Sequence, residues 1–205
     1  MPDAERGKPE GLLALDLDPP IWERVFTVAP LVVIGTREGD RYDLAPKHLV
    51  MPLGWGRHFG FMCSPRHSTY HNARREGAFT VSFPRPTQIL SAALAATPRE
   101  GWAGEKPIVS ALPTFRAGTI DGVLLEDAYL FLECRLHRVV DGFGEYSLIS
   151  GRIVAAYADR NAVRITEKED QELVHQSPLL AYLSPGRFST IRRSHAFPFP
   201  AGFRR

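Results

Sequence analysis

Residues 128–158 constrain the fold most. In "AYLFLECRLHRVV" (128–140), Leu130, Leu132, Cys134 and Leu136 alternate against Phe131, Glu133, Arg135 and His137, and "EYSLISGRIVAAYA" (145–158) is a second strand-like run. A period of two places successive side chains on opposite faces of a strand. Gly142 and Gly144 between the runs, and Gly151 within the second, suit turns and bulges of a hairpin and equally a close approach of a cofactor. Two further runs read as strands: "AFTVSF" (78–83), and "VFTVAPLVVIGT" (25–36), which ends in the turn signal "REGD" and in which Pro30 marks a bulge or the strand's true start. Between them, "RYDLAPKHLVMPLGWGRHFGFMC" alternates turns with short apolar pieces.

Helical signals are fewer. The sequence predicts helices over Thr69 to Glu76, closed by Gly77, over 87–97 ("TQILSAALAAT") and over 165–176 ("ITEKEDQELVHQ"). Strands and helices do not alternate regularly, which excludes a doubly wound sheet and predicts a mainly β fold, a small barrel with peripheral helices. The Pro- and Gly-rich stretch 96–122 reads as one long surface excursion, and long loops in compact domains often serve a binding site.

With 205 residues, the chain is expected to form one domain over 21–190, after a loosely attached leader (1–20) and before a basic, Pro-containing arm (191–205). A formal charge of +2 gives no nucleic-acid footprint, and Arg187, Arg192, Arg193, Arg204 and Arg205 near the end read as a solvated arm. Two cysteines, a polar acidic start and no apolar run near the roughly 20 residues of a membrane span predict a soluble, cytoplasmic protein.

The densest chemistry lies in "FMCSPRHSTYHNARREGAFTVSFP" (61–84). A strand ending near Cys63 and a helix beginning near Thr69 would surround a helix N-terminus, where free N–H groups and the macrodipole favour an anion. Ser64, Ser68 and Thr69 offer hydroxyls and Arg66 a charge, so a phosphate is the natural guest; the alternative is that Ser64 or Ser68 merely caps the helix. "GWGRHFG" (54–60) has the wrong spacing and context for a dinucleotide fingerprint. His67 and His71 stand four apart without an acidic or Cys partner, so no metal site is expected, and neither GxSxG nor CxxC occurs. Trp55 and Phe59 fit a ligand site or packing on the barrel equally, and His195 reads as surface.

Taken in order, "VVIGTREGDRYDLAPKHLVMPL", "FGFMCSPRHSTYHNARREGAFTVSFP" and "LECRLHRVVDGFGEYSLISGRIVAAYAD" resemble the flavin reductase-like family, over about residues 25–190. The matching positions are Thr36, 44–48, Ser64 with Thr69 and Asn72, 76–82, Cys134 and 151–154; Leu44 stands where the family usually has Asn, and Lys47 and His48 where many members have small hydroxyl or aromatic residues. The resemblance implies an FMN-binding split barrel, a six-stranded antiparallel Greek-key-type barrel that forms a homodimer and binds FMN near the subunit interface. It implies that Ser64, Arg66, His67, Thr69 and Asn72 hold phosphate or ribityl oxygens, while Asp43, Leu44, Ala45, Pro46, Lys47 and His48 run along the ring. The implied activity is an NADH- or NADPH-dependent flavin oxidoreductase, with a flavin-dependent monooxygenase as a partner that would take the reduced flavin. Hydride transfer between two rings needs alignment more than acid/base side chains, so no catalytic residue is assigned. A non-enzymatic flavin-binding or electron-carrier protein on the same barrel is the alternative, and a haem- or pyridoxal-phosphate-type relative a third reading.

Overall fold

The computed structural model describes residues 10–99, 104, 106–164 and 170–202. Its architecture divides at Pro30. The sequence predicts one strand over 25–36, but the chain makes two, β1 (Thr27–Pro30) and β2 (Val32–Glu38), in different sheets. Proline has no N–H for a ladder, so it ends β1 and frees Leu31 to turn the chain toward the second sheet.

From β2 a two-residue turn with Gly39 at φ 65 leads into β3 (Arg41–Lys47). The short β4 (Val50–Pro52) and β5 (His58–Cys63) follow. Helix α1 (Ser68–Glu76) ends where the sequence predicts, on Gly77 at φ 64, whose N–H bonds the Ala73 carbonyl. Next come β6 (Ala78–Phe83) and α2 (Ile89–Leu94), the latter shorter than the helix expected over 87–97 and preceded by a 3-10 turn, Pro86–Gln88. The excursion 96–122 holds α3 (Pro107–Ala111) and β7 (Thr114–Arg116), followed by β8 (Val123–Leu125). The long strands β9 (Leu130–Phe143) and β10 (Tyr146–Ala158) bear out the alternation of 128–158. Helix α4 (Asp170–Gln176) occupies the end of the expected 165–176 helix, whose first five positions lie outside the described residues. β11 (Leu179–Ser184) and β12 (Arg187–Ile191) lie where the sequence suggested no element.

The main sheet is antiparallel throughout, in the order β3-β2-β6-β9-β10-β5-β4, and its six longer strands are the expected split barrel with three-residue β4 as a seventh. β1, β11 and β12 form a second sheet and β7 with β8 a two-stranded ribbon. Inside the curl, Val32, Ile34, Phe59, Phe61, Phe79, Val81, Cys134 and Ile149 pack with Tyr70 and Ala73 of α1, and Phe61 meets Phe79 edge to face at 5.1 Å. Val33 and Leu44, on the other face, pack with Ala92, Ala95, Leu112, Leu125 and Leu180. Each large side chain so buried contributes about 1.5–3 kcal/mol. Thus β2 lies between two cores, and β3, paired with it from Arg41 to Lys47 and anchored by Leu44 in the second core, is fixed as one wall of whatever forms beside it. Among the described residues, no helix is long and apolar enough to cross a membrane.

Glu133 on β9 is fully buried and pins the turn after β7: it accepts hydrogen bonds from the backbone N–H of Gly118 (2.8 Å) and Thr119 (2.6 Å) and from the Thr119 hydroxyl. Burial opposes its charge, but these bonds and one from the Ile120 N–H outweigh that and hold its pKa below the ordinary 4.5. A lowered folded pKa stabilises the fold above the unfolded value, and that stability is lost as pH falls through the folded one. Glu133→Gln is therefore expected to flatten the acid limb of a Tm-against-pH profile; an unchanged limb would place the acid sensitivity elsewhere.

Candidate functional site

A cleft of about 390 Å³ opens where β3 passes the start of α1. β3 contributes Asp43, Ala45, Pro46 and Lys47, the α1 entry contributes Arg66, His67, Ser68 and Thr69, and the stretch from Ala95 to Arg99 with Lys106 forms a third side. The two segments marked out in the sequence thus face one space.

Helix α1 starts without a side-chain cap. His67, at the N-cap position, is extended (φ −94, ψ 141) and bonds no first-turn N–H through its ring. Ser64 instead accepts from the Arg66 N–H at 3.2 Å, tightening the turn before the helix, so neither Ser64 nor Ser68 is the cap. An uncapped first turn retains donors and the positive end of the macrodipole beside the cleft.

The charges are unequally matched. Asp43 is 2 % exposed, with Lys106 Nζ 3.0 Å and Arg99 Nη2 3.4 Å from its Oδ1. These are ion-pair distances without hydrogen-bond alignment, since both Asp43 Oδ1 and Arg99 Nη2 are buried with no hydrogen bond. Lys106 donates to the Leu44 and Ala95 carbonyls, both at 3.2 Å, and Arg99 to Glu38 at 2.9 Å and the Gly104 carbonyl at 2.7 Å. Arg66 pairs with Glu145 at 2.6 Å. Lys47 alone of the four cations lining the cleft has no carboxylate partner among the described residues. Burial first, then the nearby Lys47 and Lys106 charges, lower the His67 pKa below 6.5 against a smaller opposing pull from Asp43, so the imidazole is neutral at pH 7.

Of the residues expected at the site, Asp43, Ala45, Pro46, Lys47, Arg66, His67 and Thr69 line this cleft. Leu44 turns its side chain into the core and lends its carbonyl to Lys106. His48 stacks on Tyr182 (centroids 4.4 Å, 28° between planes), and burial, then Lys47, lowers its pKa. Ser64 lines an adjoining cleft. Asn72 is buried beneath, donating to Thr36 Oγ1 (3.3 Å) and Glu38 (3.4 Å) and accepting from Arg75 (2.9 Å). Arg99 and Lys106 carry no local signal in the sequence; only the length of the 96–122 excursion hinted at them. Trp55 is exposed, Phe59 is a core residue and His195 is exposed.

Both thiols lie away from solvent. Burial raises the Cys63 pKa, and burial together with the adjacent Glu133 pushes Cys134 up to about 12. The native protein is expected to show no thiol reactive toward a chromogenic disulfide reagent at pH 8 and both on unfolding; fast labelling of the native form would contradict this burial.

The Flavin reductase like domain family pattern matches residues 25–182. The chain belongs to this family. Among solved structures, the flavin reductase-like chain is similar to flavoredoxin from Methanosarcina acetivorans (16% identity, 93% of this chain and 97% of that one, TM-score 0.73). It is similar also to an FMN-binding protein from Thermus thermophilus (20% identity, 92% and 99%, TM-score 0.72). A third is the NADH:FAD oxidoreductase of Streptomyces globisporus (14% identity, 87% and 96%, TM-score 0.69). No curated protein matches the sequence.

Proposed function

We propose that this flavin reductase-like chain is an FMN-dependent oxidoreductase that passes hydride from NADH or NADPH to flavin. The observation that carries the reading is the unmatched Lys47 beside the uncapped start of α1, both on one cleft. The donor set fits a phosphorylated flavin: Lys47, the hydroxyls of Ser68 and Thr69 and the first-turn N–H groups would take the phosphate, and Arg66 stands at the rim. Bound there, FMN supplies the ring that accepts hydride from the nicotinamide.

The chain's own part is positioning. β3, paired along its length with β2 and anchored by Leu44 in one core, fixes one wall; Asp43 Oδ1, buried and without a hydrogen bond, offers an acceptor to an N–H of the ligand. Arg99 and Lys106 hold the end of the Ala95 to Arg99 stretch and the start of α3 against β3. The thiols are too deeply buried to react. We place a second copy over the exposed Val28, Leu49 and Met51, which lie on or beside the neighbouring strands β1 and β4, making a homodimer. A flavin-dependent monooxygenase fits as the acceptor of the reduced flavin, and a cytoplasmic setting fits the reduced thiols.

The test is anaerobic. Protein reconstituted with FMN and desalted is mixed with NADH or NADPH, and the blue-region flavin absorbance is followed against free FMN. Bleaching much faster than the control is the expected result. Retained flavin that stays oxidised with both donors would favour an electron carrier, and absence of flavin binding at high FMN would remove the reading.

A further inference from the structure

A bulge in β9 gathers cations on the outer face of the main sheet. Arg152 of β10 lies opposite Arg135 on β9 and opposite His58 on β5, and Ser150, two residues along the same face, lies opposite Arg138. Between them Gly151 meets Leu136, so His137 is an extra residue in β9 that brings Arg135 and Arg138 onto one side although they stand three apart. The His137 ring contacts that of His58 (centroids 4.9 Å, 56° between planes). We propose that this basic row docks an acidic surface of a partner protein. The proposal rests on the flavin reading only for the partner's identity, the protein that takes the reduced flavin.

Like charges set directly opposite on neighbouring strands are destabilising. Arg135, Arg138 and Arg152 are exposed and have no carboxylate partner among the described residues. The acids around the row are engaged elsewhere. Glu133, two residues before Arg135 on the same face, gives its carboxylate to the turn at Gly118 and Thr119. Glu76 pairs with Arg75 at 2.7 Å, and Asp121 with Arg37 and Arg116. A row kept at a cost to the fold takes its counter-charge from outside.

Shape and composition suit a protein partner. At its β6 end the row opens into a further cleft of about 550 Å³, where Arg135 and Arg37 stand with Ala78 and the turn from Gly118 to Asp121, a socket for an acidic side chain. At its other end, the turn leading into His58 carries Trp55, 92% exposed, and Arg57. Trp and Arg are the residue types that most often dominate binding energy between proteins. A second copy is a poor occupant, because a two-fold interface would set the same cations against one another. A formal charge of +2 supplies little long-range attraction for a nucleic-acid backbone, whereas an acidic protein surface needs only local complementarity.

A fluorescein-labelled decaglutamate peptide is the probe, titrated by anisotropy into wild-type and Arg135→Gln/Arg152→Gln protein at low and at physiological salt, beside an oligothymidylate of equal charge. Saturable, salt-sensitive peptide binding that weakens about tenfold in the variant is the expected result, the scale of two exposed ion pairs. FMN affinity should stay within twofold of wild type, and the Tm should hold or rise as the like-charge pair is relieved. Peptide that does not bind, or binds the variant equally well, overturns the proposal, as does a variant that loses several degrees of Tm, since the arginines would then be structural. Tighter, arginine-dependent binding of the oligothymidylate would overturn it in favour of a nucleic-acid face, and a changed oligomeric state in the variant in favour of a second copy. Arginine-dependent peptide binding in a protein that takes no FMN would leave the docking face standing and remove the flavin reading.

Discussion

Lys47→Ala is expected to weaken FMN binding by roughly tenfold to 150-fold, the equivalent of one charge-assisted hydrogen bond of about 1.5–3 kcal/mol. The size follows from how the cleft's charges are already engaged. Arg99 and Lys106 face the buried Asp43, and Arg66 faces Glu145, so their attraction for a new anion is offset by carboxylates in contact. Lys47 has no such counter-charge among the described residues, and it stands beside donors of the α1 first turn. Lys47→Arg should keep much of the affinity, because charge is retained, while losing some to the altered fit of a planar guanidinium. Fluorescence titration of FMN at two salt concentrations checks both variants: the wild type should weaken with salt more steeply than Lys47→Ala. Equal affinities in all three proteins would move the phosphate away from β3.

Gly151→Ala is expected to destabilise the fold by roughly 1–3 kcal/mol, the cost of overpacking a well-filled core. A methyl group there would stand 2.5 Å from Phe79 Cζ, 2.6 Å from Cε1 and 2.9 Å from Cys134 Cβ. None of these atoms can swing aside, since Phe79 is 1% exposed and locked edge to face against Phe61. Gly151 therefore serves close packing of a ring rather than cofactor approach, while Gly142 and Gly144 take the positive φ of the hairpin turn. Urea unfolding of Gly151→Ala, Phe79→Leu and the double variant gives the cycle: the alanine should cost clearly less once the ring is gone. Additive effects would mean that the methyl group finds room some other way.

The parts of this molecule that were legible in the sequence are those decided by near neighbours. Alternation from Leu130 to Leu136 gave the inward set of β9, because the period of a strand depends only on its own backbone. Gly77 marked the end of α1 for the same local reason. β11 and β12 went unseen: their residues show little alternation, and β11 is a strand because β1, some 150 positions earlier, pairs with one of its edges while β12 pairs with the other. The site divides along the same line. Asp43 to Lys47 and Arg66 to Thr69 are each continuous segments whose types could be read, whereas Arg99 and Lys106 reach the cleft only through the path of a long connection. Asn72 and Ser64, polar residues in the right stretch, are occupied in holding Thr36, Glu38 and the turn before α1.

The pairing of β1 with β11 also sets an order of events during synthesis. Thr27 meets Ser184 and Pro30 meets Ala181, so the small sheet joins strands from opposite ends of the described chain. A ribosome that has released residues through β10 has supplied every strand of the curled sheet, yet β1 still has no neighbour to pair with. Contacts of such long sequence separation form late and slowly. The nascent domain therefore waits with the strand edge of β1 unpaired until β11 emerges, and that interval is when a chaperone, or a second nascent copy, has the most to bind.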